Sequence, residues 1–295
     1  MSAILPILTN MRFRDWGTRI ILIFLMLATL IVALFIGGAR QPHNQTIASN
    51  SAVKAGSQYP PAQLQSAITT QEQKRNLIPS TIKINKINPV YITTRAFANY
   101  RPNFAQAKVD PSNYGDRYIA DVNGVIFNHQ PIIVIHETSN STSSAINFFQ
   151  THHDDENVQA SYHAIITLEG NVVYLVPPEK RAFGAGNSVF KGANGVETVQ
   201  TNPNLPPSVN NFAYHVSLET PPDAWGKNDI QEHTGYTEAQ YNSLAWLIAQ
   251  SQVPDDRITT HKAVDVAGRK VDPLSFDGEK FLNKLHSFRQ LRTLN

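Results

Sequence analysis

The sequence predicts an α/β fold: a single mixed central β-sheet flanked by helices, preceded by one N-terminal transmembrane helix and a flexible linker. Strand-length apolar runs alternate with helical patterns in the C-terminal half, a long apolar run lies near the N-terminus, and a polar segment separates the two regions. The predicted units are a cytoplasmic N-terminus (1–19), a transmembrane signal anchor (20–39), a flexible linker (40–84), a lead-in segment of unassigned structure (85–130) and a folded C-terminal domain (131–295).

The apolar run at residues 20–39 has no charged side chain and is long enough, at 1.5 Å per residue, for a helix to cross the ~30 Å hydrocarbon layer. Arg12, Arg14 and Arg19 precede it, and the positive-inside rule then places the N-terminus in the cytoplasm. We therefore predict a membrane-anchored protein with a periplasmic or otherwise extracytoplasmic domain. The alternative is secretion after signal cleavage, since residues 37–39 are small, although a signal peptide's apolar region is usually only ~7–15 residues long.

Residues 40–84 are rich in Gln, Ser, Ala, Thr and Asn and follow neither a strand nor a helix period, which predicts a flexible tether. In the lead-in segment, residues 90–92 and 118–120 have the composition of short strands. Prolines and a glycine interrupt that pattern, so no fold is assigned to the segment.

Composition excludes several classes of function. Lys and Arg number 25 against 23 Asp and Glu, and a net charge of +2 is too small for a nucleic-acid-binding surface, so we expect no nucleic-acid partner. The chain has no cysteine, so a metal would be held by histidine and carboxylate. It also has no P-loop, dinucleotide fingerprint or Gly-x-Ser-x-Gly elbow, which leaves nucleotide and serine-hydrolase chemistry unsupported.

Within the folded domain, apolar runs predict strands and amphipathic runs predict helices. A β-branched run ends at His136, two apolar stretches flank the turn-like residues 169–171, and residues 237–240 have the pattern of a capping box. The predicted strands cover 132–135, 163–168, 172–176 and 213–218, and the predicted helices cover 141–153, a segment starting at the capping box, and a segment carrying Phe281, Leu282, Leu285 and Phe288.

Two histidines and one aspartate form a candidate metal site. His136 ends the most apolar strand, where sites gather in α/β proteins, and His261 follows a short β-branched segment. Asp272 precedes a proline, which favours an extended backbone, so Lys270 would project to the same side as Asp272. Two imidazoles and one carboxylate are the protein ligands of many hydrolytic zinc sites, in which water takes the fourth position. The spacing alone is no signature of such a site.

Five blocks in the second half of the chain resemble one enzyme family. They are IIVIHET (132–138), SYHAIITLEGNVVYLVP (161–177), RAFGAG (181–186), VSLE (216–219) and HKAVDVAGRKVDP (261–273). Together they are similar, over residues 131–285, to the zinc-dependent N-acetylmuramoyl-L-alanine amidases of the superfamily containing AmpD, phage-lysozyme-type amidases and peptidoglycan recognition proteins. The resemblance implies that residues 131–295 form a zinc amidase domain, that His136, His261 and Asp272 bind Zn2+ and that Lys270 stabilises the oxyanion of the tetrahedral intermediate.

The resemblance leaves the general base open between two residues. Tyr162 resembles the tyrosine of the phage and recognition-protein branch, and Glu219 resembles the glutamate of the AmpD branch. We favour Glu219 for proton transfer, because a glutamate titrates nearer neutrality, and Tyr162 as a hydrogen-bond donor. The chain departs from the family pattern at Gly184, where a histidine is common, and at Ser217-Leu218-Glu219, where Gly-Ile-Glu is common.

The resemblance therefore implies a peptidoglycan hydrolase that cleaves the amide bond between N-acetylmuramic acid and L-alanine by means of zinc-activated water. Its expected partners are the peptidoglycan (muropeptide) substrate and the membrane that holds its N-terminal helix. Two alternatives stay open: a non-catalytic peptidoglycan-binding module, and an amidase acting on another amide of the cell envelope, which the altered position 184 suggests.

Overall fold

The computed structural model describes residues 91–193, 195–227 and 229–292 of the 295-residue chain. The predicted cytoplasmic N-terminus, membrane anchor and linker lie outside these residues. Among the residues that are described, no helix combines the length and the apolar character needed to cross a membrane.

Twelve strands and five α-helices occur in the described part of the chain. In chain order they are β1 (Tyr91–Thr93), α1 (Arg95–Asn99), β2 (Phe104–Gln106), β3 (Tyr114–Asp116), β4 (Ile132–Glu137), α2 (Thr142–Gln150), β5 (Ala164–Ile166), β6 (Val172–Tyr174), β7 (Lys180–Ala182), β8 (Phe190–Gly192), β9 (Gly195–Glu197), β10 (Ala213–Leu218), α3 (Glu238–Ala249), β11 (Ile258–Thr260), α4 (His261–Val264), α5 (Gly278–Phe288) and β12 (Arg289–Leu291).

The central sheet has six strands in the order β11-β4-β10-β5-β6-β2. Neighbouring strands are parallel except β5 and β6, which form the predicted antiparallel hairpin. Its turn contains Gly170 at φ +80°, a conformation that favours glycine, and a Cβ there would lie 2.7 Å from the carbonyl oxygen of Ala239. The mixed sheet with helices packed against it confirms the predicted fold class for the described residues.

Helices α3 and α5 cover one face of the sheet. Alternate residues of β4 and β10 pack there against Leu244 of α3 and Leu285 of α5.

Helix α3 begins with the predicted capping box, in which the Thr237 side chain accepts the backbone N–H of Gln240 and the Gln240 side chain accepts the backbone N–H of Thr237. This reciprocal cap fixes where the helix starts.

The opposite face of the sheet carries the candidate site. Side chains alternate along β4, so Ile132, Val134 and His136 lie on the face away from the two long helices. Helix α2 and the segment 185–212 cover this face, contributing Phe149 and Val209 to its core. Strand β4 also continues through His136 and Glu137, beyond the apolar run that predicted it.

The lead-in segment adds strands at three places, one of which is β3, paired antiparallel with β7. Strand β1 pairs antiparallel with β12, and β2 pairs parallel with β6 at the edge of the central sheet. Of the two stretches with strand composition, residues 90–92 overlap β1, whereas residues 118–120 contain only an isolated bridge from Ala120 to Ile126. The backbone N–H of Asp121 donates to the carbonyl of Val125, and this turn reverses the chain before a strand can extend.

Candidate metal centre

Three segments of the chain bring the predicted ligands to one end of the sheet. His136 lies near the end of β4, and His261 is the first residue of α4, which directly follows the neighbouring strand β11. Asp272 follows the turn after α4, and its carbonyl oxygen accepts the backbone N–H of Lys262 at 2.9 Å. A backbone bond therefore holds the segments that carry His261 and Asp272 together.

The side chains of His136, His261 and Asp272 converge. The Asp272 carboxylate lies 3.0 Å from Nδ1 of His261 and 3.5 Å from Nδ1 of His136, and the three ligand atoms all lie within 4.8 Å of one another. Ligands of a tetrahedral zinc ion, each about 2.0–2.2 Å from it, would lie about 3.3–3.6 Å apart, so the cluster has about the size of such a site. Nδ1 of His136 is buried and makes no well-aligned hydrogen bond within the described residues, which suits a metal ligand.

Burial and neighbouring charges set the protonation states of the cluster. Burial lowers the pKa of His136 to about 4, with the charges of His261 and Lys270 acting in the same direction and the Asp272 carboxylate opposing them. Burial would raise the pKa of Asp272, but the two imidazoles outweigh it and hold that pKa well below its usual range. Near neutral pH, His136 is neutral and Asp272 is ionised, and these are the forms that bind a metal.

Tyr162 packs against the site. Its ring centroid lies 4.7 Å from that of His136, and Phe149 packs edge-on against the Tyr162 ring with centroids 5.3 Å apart. Burial raises the pKa of Tyr162 far above its usual value, and the negative charges of Asp272 and Glu137 raise it further. The phenol therefore keeps its proton, which makes it a hydrogen-bond donor and a poor base.

The other two predicted catalytic residues differ in their surroundings. Lys270 is exposed, and its charge is near enough to act on the pKa of His136. Glu219 is buried, and its two carboxylate oxygens accept the backbone N–H groups of Thr142 at 2.8 Å and Leu168 at 3.0 Å. No hydrogen bond joins Glu219 to the three ligands in the described part of the chain, so its role in proton transfer stays a prediction.

Sequence reasoning overlooked a carboxylate network behind the site. Glu137 follows His136 in β4 and points to the other face, where its Oε2 accepts hydrogen bonds from the Tyr236 hydroxyl at 2.5 Å, His233 Nε2 at 3.1 Å and the backbone N–H of Leu274 at 3.1 Å. The bond to Leu274 holds the segment that carries Asp272 against β4. Strand alternation indicates the direction of Glu137, but no sequence signal identifies these distant partners.

Two other groups of histidines have different surroundings. His163 and His215 are buried on the same face of the sheet as His136, and Nδ1 of His215 lies 2.9 Å from Nε2 of His136. The tract 152–156 resembles a metal site in composition, but His152 is exposed and bonds to Asp110 and Asp154. The tract is therefore part of the exposed segment that follows α2.

Comparison with known proteins gave matches to a family and to solved structures, whereas no curated protein matched the chain. AmpD from Citrobacter freundii is 23% identical over 61% of this chain and 90% of its own, with a TM-score of 0.37. AmiD from E. coli, solved with anhydro-N-acetylmuramic acid-L-Ala-D-gamma-Glu-L-Lys, is 20% identical over 54% of this chain and 58% of its own, with a TM-score of 0.41. AmpDH3 from Pseudomonas aeruginosa, solved with anhydromuramic pentapeptide, is 18% identical over 70% of this chain and 66% of its own, with a TM-score of 0.39.

The family model carries the assignment, because the structural likenesses are distant. It describes N-acetylmuramoyl-L-alanine amidases and matches residues 128–275. The match begins just before β4 and ends just after Asp272, so it includes all three converging side chains. Since it spans half of the chain, this chain belongs to the N-acetylmuramoyl-L-alanine amidase family.

Proposed function

We propose that this chain is a zinc-dependent amidase that hydrolyses the bond between N-acetylmuramic acid and L-alanine in peptidoglycan. Membership of the family supports the bond and the class of substrate. The convergence of His136, His261 and Asp272 at a buried point supports the metal. This convergence carries the proposal, because it provides a three-ligand site with a position left for water.

The residues around the site suit amide hydrolysis. Bound zinc would act as a Lewis acid and lower the pKa of its water ligand to about 7. Neutral His136 and ionised Asp272 need not lose a proton before they bind the ion. The Tyr162 hydroxyl, which keeps its proton, and the ammonium group of Lys270 are the donors available to stabilise negative charge on the substrate carbonyl oxygen.

The test uses the full-length protein and purified sacculi. We expect metal-stripped protein to release no stem peptides, and added Zn2+ to restore release with a free L-alanine amino group on the product. Asp272→Asn should abolish restored activity, whereas Asp154→Asn, at a side chain that is 97% exposed, should not. Binding to sacculi without product would instead identify a peptidoglycan-binding module, and cleavage of a different amide would identify another envelope substrate.

We also propose that residues 20–39 anchor the protein in the cytoplasmic membrane, with the amidase domain outside. The uncharged run and the three preceding arginines support this orientation. In a bacterium, that location would place the domain beside its polymeric substrate. Residues 40–84, as a flexible tether, would give it a reach of about 35–40 Å at 5–6 Å × √n.

A further inference from the structure

The imidazole of His215 contacts a candidate metal ligand from the neighbouring strand. Strands β4 and β10 are parallel, and their register pairs His136 with Ser217, so His215, two residues before Ser217, lies on the same face of the sheet as His136. Both imidazoles are fully buried. Nδ1 of His215 lies 2.9 Å from Nε2 of His136, which is the ring nitrogen that does not face Asp272.

With a metal on Nδ1 of His136, this contact would determine which nitrogen of each ring carries the proton. Nδ1 of His136 faces Asp272 and must keep its lone pair to bind a metal. The proton of neutral His136 then lies on Nε2 and is donated to Nδ1 of His215. An imidazole that accepts at Nδ1 carries its own proton at Nε2, so one contact fixes both tautomers.

Other contacts hold the His215 ring in place. The ring is stacked on that of His163, with centroids 5.9 Å apart and planes 13° apart, and the backbone N–H of His215 donates to Nδ1 of His163 at 2.9 Å. Gly184 lies directly against the same ring, where a Cβ would be 2.5 Å from both Cγ and Nδ1 of His215. Only glycine leaves room for the imidazole in this position, because carbon atoms do not approach so closely.

We propose that His215 is a positioning residue for the metal ligand His136, and that Gly184 provides the space that His215 requires. By accepting the Nε2–H of His136, His215 keeps Nδ1 free for the metal and fixes the orientation of the ring. The proposal rests on the zinc site proposed above. It also explains why position 184 is glycine where the family commonly has histidine, because the space beside His215 has no room for a side chain there.

The first experiment measures the Zn2+ dissociation constant of the full-length protein by competition with a chromophoric chelator. His215→Leu removes the acceptor while keeping an apolar side chain, and it should weaken binding about 10–100-fold, as losses of such partners do. His215→Asn keeps an acceptor near the position of Nδ1 and should restore most of the affinity. His152→Leu, at an exposed histidine, is the control. Unchanged affinity in His215→Leu would overturn the proposal.

The second experiment needs no variant, so a folding defect cannot obscure it. Nitrogen-15 NMR of the zinc-loaded wild-type protein should show the proton on Nε2 of both His136 and His215. A proton on Nδ1 of His215 would overturn the proposal even if zinc binds tightly. If the wild-type protein binds no zinc, the proposed zinc site itself fails, which is a separate outcome.

Discussion

At the scale of single residues, His163 illustrates how a buried imidazole makes the fold sensitive to acid. Nδ1 of His163 accepts the backbone N–H of His215 at 2.9 Å, and its Nε2 lies 3.2 Å from the carbonyl of Lys180. Burial, followed by the positive charge of Arg117, lowers the pKa of His163 well below 6.5. The folded protein therefore keeps this ring neutral at a pH where the unfolded chain would take up a proton.

This protonation difference predicts a pH-dependent loss of stability. His163 contributes to the free energy of unfolding above about pH 6.5. Below that pH, its contribution falls by about 1.4 kcal/mol for each pH unit of acidification. Between pH 7 and pH 5.5, we expect the free energy of unfolding to fall by about 1.3 kcal/mol less in His163→Asn than in the wild type. Urea denaturation at both pH values measures this. His152→Asn is the control, and an equal fall in wild type and His163→Asn would contradict the prediction.

At the scale of secondary-structure elements, Glu219 joins two segments that are far apart in sequence. One oxygen accepts the backbone N–H of Thr142 in the first turn of α2, and the other accepts that of Leu168 in the turn between β5 and β6. A helix N-terminus presents unpaired N–H groups and a positive dipole, so a carboxylate is a favourable partner there. These bonds assign Glu219 a structural role that its sequence context does not suggest.

The structural role predicts the effect of Glu219→Gln. A glutamine has one oxygen and turns its NH2 group toward a backbone N–H, so one buried donor loses its partner. We expect the free energy of unfolding to fall by about 1–3 kcal/mol in urea denaturation. Glu179→Gln, at an exposed glutamate, should change little. A folded Glu219→Gln protein of unchanged stability whose kcat falls 100-fold or more would instead support the predicted proton-transfer role.

At the scale of the whole molecule, the proposed anchor and tether would determine where the amidase domain works. In spheroplasts of cells that express the full chain, we expect an external protease to degrade the domain. The protein should also stay in the membrane fraction after carbonate extraction. Replacing residues 20–39 with a cleavable signal peptide is the control and should release a soluble domain. Protection from external protease would contradict the orientation, and a shortened, soluble wild-type product would indicate signal cleavage.

Several parts of the fold could be predicted because their signals are local. The β-branched run of β4, the Glu-Gly-Asn turn of the hairpin and the capping box of α3 each depend on residues within one element. The lead-in segment could not be assigned, because β1 and β2 are three residues long and acquire their partners from β12 and β6, far along the chain.

The fold class and the chemistry of the candidate ligands could be predicted from the sequence, because periodicity and residue type are properties of the chain. The tertiary structure alone decided the partners of the buried polar groups. Glu219 bonds to Thr142, which is 77 positions away in the sequence. His136 contacts His215 at a separation of 79 positions, and Glu137 bonds to Leu274 at a separation of 137. These pairings depend on strand order, register and the space left by a glycine, which are set only when the sheet assembles and the buried groups must find partners away from water.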